Sequence, residues 1–295
     1  MVLSPDPLRT DQRRRRFRPI PVRMLVPNVI TLLALCAGLT AIRLAIEGRL
    51  ELALAAIVFA AVLDGIDGRV ARLIKGQSKF GAELDSLADF VNFGVAPGLI
   101  LYFWQLNDLK NVGWIAAMVY AISGGLRLAR FNATMDDPNK PPFAGNFFTG
   151  VPAPLGALCV LLPMYLSFIG FSALPVVVTA LYTLLIAFLM VSRLPVFSGK
   201  MVGTRVAPEM VLPVFVLVVL FIAILISYPW HLLSGGSLLY LLSLPFGWWA
   251  YREQARRYAE ANAAPAATAE TSEADTPYGA PGAEQSDDGR PSRLN

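Results

Sequence analysis

The sequence predicts an all-α fold: a polytopic membrane helical bundle of about eight transmembrane helices, followed by a disordered C-terminal tail. Three observations carry this expectation. Hydrophobic residues fill 55% of the 295 positions and charged residues only 16%, where a soluble domain carries roughly 25% charged residues. The mean hydropathy is +0.54. The apolar residues gather into eight segments near the length of about 20 residues that a bilayer's hydrocarbon requires. Lys and Arg then fall on one side of the chain threaded through those segments.

The segments are 24–46, 52–73, 81–104, 113–134, 151–169, 171–191, 209–228 and 230–251. The first lacks the small-residue cleavage site of a secretory leader. The second, third and fourth carry charges that a simple anchor avoids. With the N-terminus in the cytoplasm, eight spans return the C-terminus there. The cytoplasmic side then holds Arg13 to Arg16, Arg18, Lys75, Lys79, Lys140, Arg193, Lys200, Arg205, Arg252, Arg256 and Arg257; the other side keeps little beyond Arg49 and Lys110. A basic segment of 1–23 beside apolar spans reads as an anchor on anionic lipid rather than a nucleic-acid site. The expected organisation is 1–23 basic and cytoplasmic, 24–251 transmembrane and catalytic, 252–295 cytoplasmic and largely disordered. Within that tail, 259–295 holds seven acids and two bases with no apolar period. Trp104, Trp114, Trp230, Trp248 and Trp249 read as interfacial belt residues.

Composition also excludes chemistry. Cys36 and Cys159 lie inside apolar runs, which argues against a disulfide framework. The single histidine, His231, excludes any site that needs a histidine pair.

The chemistry concentrates in Asp64, Asp67, Asp85 and Asp89. Asp64 and Asp67 are three apart, Asp85 and Asp89 four apart, so each pair shares one helix face. A short link makes the two helices antiparallel neighbours and converges the four carboxylates near the cytoplasmic end. Acids at a bilayer need a partner, and four together repel unless cations neutralise them. Mg²⁺ prefers oxygen ligands and is commonly held by one or two carboxylates together with substrate phosphates. Gly65, Gly68 and Gly81 weaken their helices by roughly 1 kcal/mol each against Ala, a cost that makes sense where a ligand or backbone comes close. The structural alternative is ion pairing with Arg69 and Arg72. A calcium loop does not fit, because Ile66 stands where an alternate acid is required.

These residues resemble a known pattern. Asp64-Gly65, then Ala71-Arg72, Gly81, Asp85 and Asp89, with Asp67 and Gly68 between, are similar to the signature of the CDP-alcohol phosphatidyltransferases. The resemblance implies a membrane bundle with a divalent-metal site, Mg²⁺ or Mn²⁺. It implies attack by a hydroxyl on a CDP-activated phosphatidyl group, with CMP leaving. By resemblance Asp64, Asp67, Asp85 and Asp89 fall on metal positions, and Asp89 also on the general base. Gly65, Gly68, Ala71, Arg72 and Gly81 fall near the CDP moiety. It also implies a homodimer.

Three further segments resemble the phosphatidylserine synthase branch: Ser123 to Asn132, Phe148 to Pro154, and Met190 to Lys200. Eight spans rather than six suit that branch, as does Pro27-Asn28-x-x-Thr31. Ala153 departs from it, standing where Ser is expected between prolines. The resemblance implies CDP-diacylglycerol and L-serine as substrates, in the inner membrane of a bacterium with the site facing the cytoplasm. A covalent phosphohistidine route is closed, since Leu232 and Leu233 follow His231.

The residues add a physical case for an amino-acid acceptor. Arg127 and Arg130 are three apart on one helix face, and a guanidinium fork suits a carboxylate; the alternative is snorkelling to the interface. Asn132 belongs to the same segment. Arg193 and Lys200 draw in phosphates or are ordinary loop charge. Asn28 and Thr31 touch the CDP end or simply start a helix. Other acceptors (glycerol 3-phosphate, inositol phosphate, choline) and a cation-coupled transporter are the competing readings; nucleic acid is not an expected partner.

Overall fold

In a computed structural model, the described residues are 22–74, 76, 78–134, 147–197 and 208–273. The expected calls on the N-terminal arginines, Lys75, Lys140, Lys200, Arg205 and residues 274–295 fall outside them. All eight apolar segments are helical, and the described residues are all-α apart from one short strand pair.

Helix α1 (Val22–Ile46) turns back into α2 (Leu50–Leu73) through a Schellman closure. Arg49 N donates to Leu44 O at 2.9 Å and Gly48 N to Ala45 O at 3.1 Å. Gly48 supplies the φ of +75° that this closure needs. Buried Ala41 and Ala45 on α1, with Ala53 and Ala60 on α2, belong to the bundle core. Small side chains let helix backbones approach closely in a membrane.

The third segment is not one regular helix. Helix α3 (Lys79–Asp89) passes through a π-helical turn, Phe90–Val95, into α4 (Ala96–Trp104). Pro97 has no N–H for the Phe93 carbonyl four residues back. The buried Tyr120 hydroxyl, from α5 (Asn111–Ala133), donates to that carbonyl at 2.9 Å instead. The same device recurs in the fifth segment, which breaks into α6 (Ala153–Val160) and α7 (Leu162–Phe168). Pro163 leaves the Cys159 carbonyl open, and the Tyr182 hydroxyl of α8 (Val176–Val191) donates to it at 2.7 Å. Inside a bilayer a freed backbone group must find such a partner.

Strands β1 (Phe147–Thr149) and β2 (Pro195–Phe197) pair antiparallel with Phe148 opposite Val196. Gly150, at φ +76°, leads from β1 toward α6. Helix α9 (Val211–Ser227) buries no residue, and an apolar helix exposed all round is a lipid-facing element. Three helical runs are long and apolar enough to cross a membrane: Leu25–Ile46, Lys79–Trp104 and Asn111–Ala133. The bent pair of α9 and the helix after it makes a fourth if taken as one span. Eight regular spans are therefore more than these lengths alone establish, because α2 carries charges and the other segments are broken or short.

The last helix, α10 (Pro229–Glu273), runs on where composition suggested disorder. Its last turns are rich in Ala, the strongest helix former. The chain divides into a compact unit ending at Trp248 and a second unit from Trp249. In the second, Arg257 pairs with Glu253 one turn back at 3.0 Å.

Candidate active site

The link between α2 and α3 sets the acids. Ser78 caps α3, its Oγ accepting from Gly81 N at 3.0 Å. Asp64 and Asp67 near the end of α2 then meet Asp85 on α3: one oxygen from each lies within 4.8 Å of the others. Asp67 is buried, Asp64 and Asp85 half-buried. The Thr31 hydroxyl of α1 lies 2.7 Å from Asp67 Oδ2 and 3.1 Å from Pro27 O. Its single proton favours the nearer, charged acceptor.

Asp89 lies one turn beyond Asp85, where α3 gives way to the π-helical turn. It stands against Asp64, while its Oδ1 is buried without a hydrogen-bond partner. Among the described residues no ion pair joins the four acids to Arg69 or Arg72. That removes the structural alternative for the cluster. Three convergent hard oxygens, with no ion-paired cation among the described residues, suit a divalent ion.

A cavity of about 420 Å³ opens beside the acids. Asn28, Thr31, Gly68, Ala71, Arg72 and Gly81 line it together with Asp67 and Asp85. Gly65 is outside its walls. A Cβ on Gly65 or Gly68 would meet nothing within 4 Å, whereas one on Gly81 would come 2.8 Å from Asn28 Oδ1. Gly81 therefore makes room for a protein side chain, and the other two leave open space.

The basic residues separate. Arg127 on α5 is buried, 9% exposed. Its guanidinium lies 5.4 Å from the Phe131 ring centroid, and its charge acts on Asp89 without an ion pair between them. Arg130 is half-buried and donates from Nη1 to the Val191 carbonyl at 2.5 Å, tying α5 to α8. Asn132 is exposed and donates to Ser86 Oγ at 2.9 Å. Arg193 is exposed between α8 and β2. Sequence reasoning missed Ser78, which caps α3, and the buried Asn92 of the π-helical turn. Asn92 carried a signal, an amide inside an apolar segment.

A membrane bundle with a carboxylate cluster beside an open cavity is the class of protein that fold and site define. The sequence profile of the CDP-alcohol phosphatidyltransferase family matches residues 24–191. A second profile, CDP-alcohol phosphatidyltransferase 2, matches residues 209–245. The chain belongs to the CDP-alcohol phosphatidyltransferase family. It is similar to the CDP-diacylglycerol–serine O-phosphatidyltransferase of Mycobacterium leprae, 40% identical over 79% of this chain and 77% of that one. The Helicobacter pylori protein of the same name is 35% identical over 76% of this chain and 91% of its own. That of Mycobacterium tuberculosis is 51% identical, over 46% of this chain and 48% of its own.

Proposed function

We propose that this chain transfers the phosphatidyl group of CDP-diacylglycerol to the hydroxyl of L-serine, giving phosphatidylserine and CMP. The observation that carries the reading is the convergence of Asp64, Asp67 and Asp85 beside the Asn28–Arg72–Gly81 cavity, in a chain so similar to serine transferases.

Asp64, Asp67 and Asp85 would hold a divalent ion, with Asp89 as a further ligand position. Such an ion, Mg²⁺ or Mn²⁺, offsets charge on a diphosphate and on its leaving group when bound. The protein's own residues do the rest. Thr31 holds Asp67 in one orientation. Gly68 and Ala71 keep the cavity wall thin beside the acids, and Arg72 presents a cation to phosphate oxygens. Gly65 borders the same acids. Asp89 accepts the serine hydroxyl proton as the new O–P bond forms and the P–O bond to CMP breaks. Much of the remaining acceleration is positioning. Arg193 and Lys200 are the further phosphate-attracting cations of this reading, and Asn132 supports the α5 end.

The wider picture is an eight-span protein of a bacterial inner membrane, with both termini and the active site cytoplasmic. It comprises a basic 1–23 segment, a 24–251 catalytic domain and a 252–295 tail, and works as a homodimer. The segment-by-segment match between the eight apolar runs and the helices supports the topology.

The test is CMP release by purified protein from CDP-diacylglycerol, with and without L-serine. Serine-dependent CMP that disappears with chelator is expected. CMP only with another alcohol would keep the site and overturn the acceptor.

A further inference from the structure

A second cavity lies apart from the one that Asn28 and Arg72 line. Its volume is about 330 Å³. Val62 of α2, Leu158 of α6, Phe221 of α9 and Leu233 of α10 stand in its walls, and among the described residues no charged side chain lines it. A pocket of this size with apolar walls and few polar groups suits a small apolar ligand.

The polar groups of the wall narrow the ligand further. Ser237 lines the cavity but is committed, its hydroxyl donating to Leu158 O at 3.3 Å. Tyr240 lines it too, and its hydroxyl is buried with no hydrogen-bond partner among the described residues. An unpaired buried hydroxyl is costly, and its proton needs an acceptor. The walls do not suit water, which needs several polar partners at once. They do not suit a phosphate or an ammonium either, since neither would meet a counter-charge. An acyl chain that starts at an ester carbonyl has both parts: one acceptor, then methylenes alone.

The cavity is tied to the acid cluster through α2. Ala61 in its wall is three residues before Asp64, so the two share a face of that helix. The axial separation is about 4.5 Å at 1.5 Å per residue. In a diacylglycerol phosphate the ester groups lie only a few bonds from the phosphate. A diphosphate at the acids therefore leaves an ester within reach of this cavity.

We propose that the cavity between α2, α6, α9 and α10 holds one acyl chain of CDP-diacylglycerol, with the Tyr240 hydroxyl donating to its ester carbonyl. This rests on the transferase reading above. Helix α9 supplies Phe221 and Leu225 to the wall while burying none of its own residues, and it is the side from which a chain enters from lipid. Gly236 keeps the space open. It lines the cavity, and a Cβ there would meet nothing within 4 Å. A glycine inside a helix weakens it, and here no neighbouring group of the protein requires one. Gly235 has the same freedom but stands outside the cavity wall.

The experiment compares full-length wild type, Gly236→Leu, Gly235→Leu and Tyr240→Phe in mixed micelles. Gly236→Leu occupies the slot without breaking the helix. Its KM for CDP-dioleoylglycerol rises about tenfold, the weight of roughly two buried methylenes. Its KM values for CDP-dibutanoylglycerol and for serine stay within about twofold. Gly235→Leu leaves all three within about twofold of wild type. Tyr240→Phe raises the KM for the dioleoyl diester about threefold or more. An ether-linked CDP-dialkylglycerol, which lacks the carbonyls, is used equally by Tyr240→Phe and wild type. Equal KM changes for long and short chains in Gly236→Leu, or none for either, overturn the inference. A defect that follows the phospholipid added to the micelles, rather than the substrate's own chains, gives the cavity to bulk lipid and overturns it too. Wild type without CMP release from CDP-diacylglycerol overturns the underlying function as well.

Discussion

Thr31 Oγ1 donates a 2.7 Å hydrogen bond to Oδ2 of Asp67, joining α1 to α2 across 36 positions of sequence. A hydrogen bond to a charged acceptor is worth about 1.5–3 kcal/mol. Thr31→Val keeps the shape and removes the donor, freeing Asp67 to rotate. The Mg²⁺ or Mn²⁺ concentration giving half-maximal CMP release is expected to rise about tenfold, and Thr31→Ser is expected to restore it. A Val variant with wild-type metal dependence would show that Asp67 needs no such support.

Asp89 is the acid whose Oδ1 is buried and unpartnered, while Asp64, Asp67 and Asp85 form the tight oxygen triad. Asp89→Asn preserves size and removes the proton acceptor. General-base loss costs typically 10²–10⁴ in rate, so kcat is expected to fall by at least about a hundredfold. Stability is expected to hold or rise, because one of several repelling carboxylates is gone. Single-turnover CMP release and thermal unfolding of the same sample separate the two effects.

The acid cluster was legible in the sequence because helix spacing alone puts Asp64 with Asp67 and Asp85 with Asp89 on shared faces. The short link then brings the pairs together. The π-helical turn after Asp89 was not legible: it depends on Pro97 freeing the Phe93 carbonyl and on Tyr120, 27 residues from Phe93, filling it. The role of Arg130 was hidden likewise, since its acceptor is a backbone carbonyl 61 residues away. Side chains that answer to tertiary backbone geometry leave no spacing pattern. The breaks within the third and fifth segments had a readable cause in Pro97 and Pro163, but their repair by Tyr120 and Tyr182 did not.

An ion held by Asp64, Asp67 and Asp85 binds the folded chain in preference to the unfolded one, which stabilises it by RT ln(1 + [L]/Kd). At a hundredfold excess over Kd that is about 2.7 kcal/mol. Mn²⁺ is expected to raise the thermal midpoint of purified protein, chelator to lower it again, and Asp67→Asn to abolish the shift. A shift that persists unchanged in Asp67→Asn would place the ion elsewhere.

Gly81 stands where a Cβ would come 2.8 Å from Asn28 Oδ1 and 3.1 Å from Ser78 Oγ. Gly81→Ala therefore pushes Asn28 out of its place in the cavity wall and strains the cap of α3. The KM for CDP-diacylglycerol is expected to rise several-fold, with the serine KM little changed. In the background of Asn28→Ala the clash loses its partner, so the two substitutions together are expected to cost less than the sum of their separate effects. Additive costs in that cycle would separate Gly81 from Asn28.

Arg127 and Arg130 look equivalent in sequence, and their surroundings make them opposite. Arg130 joins the end of α5 to the end of α8 through Val191 O, where α8 has run out of intrahelical donors for its last carbonyls. Removing that guanidinium leaves a carbonyl unpaired at a helix terminus, at about 1–3 kcal/mol. Arg130→Ala is thus expected to lower the thermal midpoint while the serine KM stays within about twofold. Arg127→Ala is expected to do the reverse: a buried charge with no ion-paired acceptor among the described residues contributes little to folding, but its loss takes away the fork that orients an acceptor carboxylate. A serine titration and a melting curve on each variant decide the assignment, and matching serine KM changes in both would restore the two-arginine clamp that the spacing first suggested.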